Sequence, residues 1–290
     1  VQIVREVVAE PAGWTTSQSH FTFDLVMGVL IAALVLLVTT GHIQRVGRVT
    51  LRMVPVMVLL YLGMTALLLM RFASEIPAAF QLIISDAFSG DAVAGGAIGT
   101  VILMGVRRGA FSNEAGIGTE AMAHGAARTN EPIREGLVAM MGPVIDTLLV
   151  CTCTALAILV TGSWQVDGDI DGVTLTSQAF ETAFPGIGAY LLTVVVALLS
   201  LSTIFTFWYY GSKCLGFLIG ARHQHHYVWI YAALVVFGSV TSLPAIIGLI
   251  DGLYATMAIP TMISALLLAP KVNRAARDYF QRHGKQSEDQ

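Results

Sequence analysis

Between Gly105 and Gly125 the chain reads GVRRGAFSNEAGIGTEAMAHG. Ser112, Asn113 and Glu114 lie there among Gly109, Gly116 and Gly118, with apolar sequence on both sides. Glycine lets a backbone leave the helix, and short polar side chains satisfy the N–H and C=O groups that are freed. Such a stretch can hold a small polar solute with backbone dipoles and short side chains, and needs no covalent chemistry to do so. Arg107 and Arg108 just before it suit either snorkelling at a membrane interface or pairing with buried acids.

The elements that must position these residues are membrane helices. Of the 290 residues, 55% are hydrophobic and 12% are charged, and the mean hydropathy is +0.72. Soluble domains have about 25% charged residues, so most of this surface cannot face water. Sixteen basic against 19 acidic residues leave a charge of −3, which excludes a nucleic-acid partner. Three cysteines, Cys151 and Cys153 among them in an apolar run, exclude a disulfide framework. The fold class is therefore an all-α integral membrane protein.

A crossing takes about 20 mostly apolar residues. Seven stretches come near this: Leu25–Gly41, Met53–Met70 with Pro55 in its first turn, Ala92–Val106, Gly136–Thr161, a part of Thr182–Ser212, Tyr227–Val240 and Ile246–Leu268. The third is short and runs into the polar segment, which reads as a helix broken near residues 109–118. An interruption at membrane depth is tolerated only where it faces protein or a water-filled cavity, and secondary transporters build substrate sites this way. The same spacing also fits a cytoplasmic loop between two ordinary helices.

Cytoplasmic loops collect Lys and Arg. If Arg45, Arg48 and Arg52 are placed inside, alternation also puts Arg128, Arg134, Lys213, Arg222 and the basic tail there, twelve of 16 basic residues in all. Asp86, Asp167, Asp169, Asp171 and Glu181 then fall outside. The expected location is the cell (inner) membrane, with a cytoplasmic C-terminus. The tail after Pro270 reads as a basic end that frays.

RGAFSNEAGIGT followed by AHGAA resembles the signature of the alanine or glycine:cation symporter family. EPIREGLVAMMGPVIDTLLVCTCTAL and STIFTFWYYG extend the likeness over most of the chain. The resemblance implies a leucine-transporter-like fold of two inverted five-helix repeats. Residues 1–71 would hold the last two helices of the first repeat, 72–270 the second repeat, and 271–290 a cytoplasmic tail. The start at Val1, with nothing like a signal peptide before Phe21, leads to the expectation of an interior piece lacking the first three core helices.

By the same resemblance, Phe111, Ser112, Asn113, Glu114 and Gly116 bind the substrate at the break. The expected substrate is alanine or glycine. Asn113 and Glu114 would accept from its ammonium, and Phe111 would limit side-chain volume. Glu114 equally suits a structural partner for Arg108. Ser202 and Thr203 would offer hydroxyls to sodium, although such residues also serve as glue between membrane helices. Phe207 would also bind the substrate, but it stands where relatives commonly have tryptophan, and Ser212 where they often have an acid, so the pocket wall departs from the pattern. Asp146 and Arg108 are candidates for coupling or gating. Sodium enters as coupling ion, with no cofactor and no resident metal, and the remaining partner is the lipid bilayer.

Other signals have plainer readings. Asp167-Gly-Asp169-Ile-Asp171-Gly172 imitates an EF-hand loop but has Gln178 at its twelfth position instead of Glu, so it reads as an outside turn. His223, His225 and His226 read as a wet interfacial loop, and Cys151 and Cys153 as packing. Asp251 is a further intramembrane acid. His124 reads as a packing or gate residue. A hydrolase using Ser112, Glu114 and His124 would need all three within hydrogen-bond reach, across two half-helices. Coupling by protons instead of sodium remains an alternative within the transporter reading.

Overall fold

A computed structural model describes residues 1–16, 20–40, 42–87, 97–165 and 172–288. The main helices are α1 (Phe21–Thr39), α2 (His42–Arg71), α3 (Ile76–Ala87), α4 (Ala97–Asn113), α5 (Thr119–His124), α6 (Pro132–Val160), α7 (Gly172–Ala183), α8 (Gly188–Ile219), α9 (Tyr227–Val240) and α10 (Leu243–Glu288). Among the described residues, α1, α6, α8 and the stretches Arg45–Arg71 and Leu243–His283 are long and apolar enough to cross a membrane. The two other expected crossings are shorter helices: α4 has 17 residues and α9 has 14. The start of the third stretch, from Ala92, and the Asp167–Asp171 sequence lie outside the described residues.

The chain divides into two compact units, Val1–Gly90 with Thr152–Ile246, and Asp91–Cys151 with Ile247–Gln290. In the first unit, Leu68, Leu156, Ala157, Phe180, Leu192 and Val195 form one buried cluster, joining α2, α6, α7 and α8. A second cluster sets Val35, Val38, Val46 and Phe205 between α1, α2 and α8. α1 runs close beside α9, and a Cβ added at Gly28 would collide with the Ser239 side chain. An N-terminal turn is fastened to α1 by buried Asp24, whose Oδ2 accepts from Arg5 at 2.5 Å and lies 2.8 Å from His20 Nδ1.

The second unit has little interior of its own. None of the apolar window of α10 is buried, and no residue of α6 from Pro132 to Cys151 is either. Large side chains such as Leu103, Met140, Leu148, Leu266 and Leu267 face outward. A helix that is apolar all round must be covered by lipid or protein, which accords with an all-α membrane protein.

α10 differs from expectation at its end. It continues through Pro260 and Pro270 to Glu288, so the tail does not fray where it was expected to. The reason lies in VNRAARDYFQRH, which supplies good helix formers and back-bonds such as Arg282 Nε to the Asp278 carbonyl at 3.3 Å. Arg282 and His283 also lie 3.7 and 4.0 Å from the Glu131 carboxylate, at the start of α6.

Candidate functional site

α4 is regular as far as Asn113, so Gly109 and Phe111 to Asn113 are still helical and the interruption falls at Glu114–Gly118. Glu114 has φ +57°, the sole positive value at a non-glycine residue among those described. The left-handed conformation costs a side-chain-bearing residue about 1–2 kcal/mol, so its neighbours must hold it there. Gly116 (φ +85°) and Gly118 (φ +105°) complete the turn, and only glycine adopts such angles without strain.

The four amides from Ala115 to Gly118 each have an acceptor nearby. The Asn113 side-chain carbonyl takes Ala115 N–H at 2.9 Å, and the Glu114 carbonyl takes Ile117 N–H at 3.3 Å. The Glu120 carboxylate takes Gly116 N–H at 3.1 Å with one oxygen and Gly118 N–H at 3.0 Å with the other. α4, in contrast, ends without i+4 amides for its last carbonyls, at the negative end of its dipole. The α4 side of the break therefore offers acceptors, and the amides from Ala115 to Gly118 are already engaged. It suits an ammonium group or a hard cation better than a carboxylate.

Beside it, α6 departs from α-helical winding. Pro143 is followed by a π-helical stretch, Val144–Cys151, of the kind often found at functional sites. Ser112 Oγ donates to Asp146 Oδ2 at 2.6 Å, and Asn113 Nδ2 donates to Thr147 Oγ1 at 3.1 Å. Cys151, read from sequence as packing, has its Sγ 3.5 Å from Ser112 Oγ. Phe111 packs on Tyr254 of α10 with ring centroids 5.2 Å apart. A Cβ at Gly118 would reach Thr261 Oγ1 at 2.7 Å, and one at Gly116 would come within 3.5 Å of Met262.

Of the expected substrate residues, Phe111, Ser112, Asn113, Glu114 and Gly116 are thus gathered on one turn, with Asp146 bonded to it, while Phe207 belongs to α8. Arg108 is exposed and forms no ion pair with Glu114 among the described residues; Arg107 instead lies 3.4 Å from the Asp251 carboxylate. Ser112 and His124 have different partners: Ser112 bonds Asp146, while His124 Nδ1 lies 2.8 Å from Glu135 Oε1. Glu120, Thr147 and Tyr254 were not anticipated. An acid two residues after a glycine that opens a helix signals Glu120, and Tyr254 shares a helical face with Asp251.

Ser202, Thr203 and Phe207 belong to α8 in the other unit. Both hydroxyls donate to the Leu199 carbonyl, at 2.8 Å from Ser202 and 3.0 Å from Thr203, so their protons are committed and their lone pairs are not. Ser202 is buried and Thr203 exposed. Phe207 packs against Tyr210 at 5.4 Å between ring centroids. Among the described residues, no three His, Cys, Asp or Glu side chains are grouped to hold a metal ion.

Curated relatives resemble this chain over most of its length. It is 36% identical over 287 residues to Uncharacterized transporter YflA of Bacillus subtilis, covering 97% of this chain and 61% of that protein. It is 37% identical over 255 residues to Sodium/alanine symporter AgcS of Methanococcus maripaludis, covering 87% and 56%. It is 28% identical over 272 residues to Sodium/proton-dependent alanine carrier protein of Bacillus sp. strain PS3, covering 88% and 61%. The chain therefore spans 56–61% of the length of these relatives. Residues 3–290 match the family model described as the sodium:alanine symporter family, and with the broken helix found within that match, the chain belongs to this family.

Proposed function

We propose that the protein serves sodium-coupled symport of a small neutral amino acid, alanine or glycine, across the cell membrane. One observation carries the reading. The amides of Ala115 to Gly118 are claimed by Asn113, Glu114 and Glu120, while the α4 carbonyl end and the Glu114 carboxylate remain as acceptors. That polarity suits the ammonium end of a zwitterion. Phe111, braced by Tyr254, bounds the space available to its side chain.

Sodium is a hard cation that favours neutral and anionic oxygen ligands. Ser202 and Thr203 suit it, because their hydroxyl protons are committed to Leu199 and their oxygens are not. The cation gradient supplies the work, about 2.3 kcal/mol per charge per 100 mV. Ion and substrate together would bias a rocking of helices between outward and inward states. The charge alternation places Arg45, Lys213, Arg222 and the C-terminus on the cytoplasmic side.

Proton coupling has its own support in Asp146. Its carboxylate accepts from Ser112 at the break, and one relative is named for both ions. Radiolabelled alanine uptake by proteoliposomes containing the protein separates the readings. Uptake is expected under an inward sodium gradient and not under a pH gradient alone. Uptake that follows only the pH gradient selects Asp146 chemistry, and uptake indifferent to both gradients ends the symport reading.

A further inference from the structure

A cavity of about 450 Å³ lies within the first unit. It sits where the C-terminal end of α1, the last turns of α8 and the start of α9 converge, and its walls include Thr39, Trp208, Tyr209, Lys213, His225 and Trp229. Its size falls within the range of small-molecule sites. None of the residues assigned to alanine or sodium lines it.

The lining holds donors and aromatic faces and no Asp or Glu. Lys213 Nζ stands 5.3 Å above the Tyr209 ring, and no carboxylate pairs with it among the described residues. The indole Nε1 of Trp208 is buried with no hydrogen-bond acceptor among the described residues. A buried N–H without an acceptor is disfavoured unless something else supplies one. An exposed ammonium with no carboxylate partner, an unmet indole N–H and an exposed imidazole together can receive an anion with several acceptor oxygens.

The surroundings say what is attached to that anion. Phe217, Leu218 and Ile219, just after Lys213 on α8, are exposed, as is Trp229 on α9. Trp and Tyr rings with basic side chains at helix ends mark the headgroup level of a bilayer. Arg45 is held at the same end, donating to the Leu37 carbonyl at 3.0 Å. We infer that this cavity binds a phosphate-ester anion, with Lys213 answering its charge and the His225 and Trp208 ring N–H groups donating to its oxygens. The ester comes either from the headgroup of an anionic phospholipid, with its acyl chains along Phe217 and Leu218, or from a soluble phosphate ester.

Binding by the protein in maltoside micelles tests this with three probes: dihexanoyl phosphatidylglycerol, dihexanoyl phosphatidylcholine and glycerol 3-phosphate. The anionic lipid should bind about tenfold more tightly than the zwitterionic one, the scale of one charged hydrogen bond. Lys213→Gln should lose that preference, Lys213→Arg should keep most of it, and Trp208→Phe should weaken binding while preserving the ring. Competition by glycerol 3-phosphate identifies a soluble ester; its failure to compete, with the lipid preference intact, identifies the headgroup. Equal affinity for the two lipids, or a Lys213→Gln variant that folds and binds like the parent, overturns the inference. If Lys213→Gln does not fold, unchanged binding by Trp208→Phe overturns it instead.

Discussion

Asn113 is used twice. Its carbonyl oxygen takes the Ala115 amide and so starts the turn, while its amide group donates to Thr147 on α6. Asn113→Ala should therefore abolish sodium-driven alanine uptake in proteoliposomes while the protein still inserts; wild-type uptake by this variant would refute the assignment. Glu120 makes a different kind of contribution, because its two oxygens answer two amides of the break. Glu120→Ala leaves both without a partner, at about 1–3 kcal/mol each, and should lower the midpoint of thermal unfolding in detergent. Glu120→Gln keeps one acceptor oxygen and should lose clearly less. Equal losses in the two variants would show that charge, and not acceptor count, governs the turn.

Among helices, the polar pattern around α4 and α10 has a definite direction. Arg107 meets Asp251, Phe111 meets Tyr254, and Gly118 lies against Thr261, so the two run parallel. Alternation of the expected crossings requires this of the third and the seventh. In the first unit, close approach decides the pairing of α1 with α9. A Cβ at Gly28 would displace Ser239 and stand 3.4 Å from the Val236 backbone. Gly28→Val should overpack this contact and destabilise the protein by about 1–3 kcal/mol, read as a lower unfolding temperature. Gly47, with open space around it, offers the control: substitution there should change the midpoint little.

For the protein in its membrane, the distribution of charge argues orientation. Basic residues gather in the segments that carry Arg45, Lys213 and Arg222 and in the tail, and acids in those that carry Glu75 and Glu181. With Cys151, Cys153 and Cys214 replaced by serine, a cysteine at Trp164 should react with a membrane-impermeant maleimide added outside intact cells. A cysteine at Arg222 should react only after permeabilisation. The reverse pattern would invert the topology and, with it, which face of the break opens first.

The sequence alone was enough for the membrane class, the all-helical fold, most helix positions, and the gathering of Phe111, Ser112, Asn113 and Glu114. These follow from local causes: apolar run length, charge sidedness, and glycines beside short polar side chains. It placed the break several residues wide, whereas the helix persists to Asn113, because the stopping point depends on which amides find acceptors. Glu120, Thr147 and Tyr254 became legible only in three dimensions. So did the choice of Arg107 over Arg108 as partner of an acid, and the helical continuation past Pro270. Each turns on which side chain of a distant segment arrives within a few ångströms, and that is settled by the packing of helices that spacing along one chain does not encode.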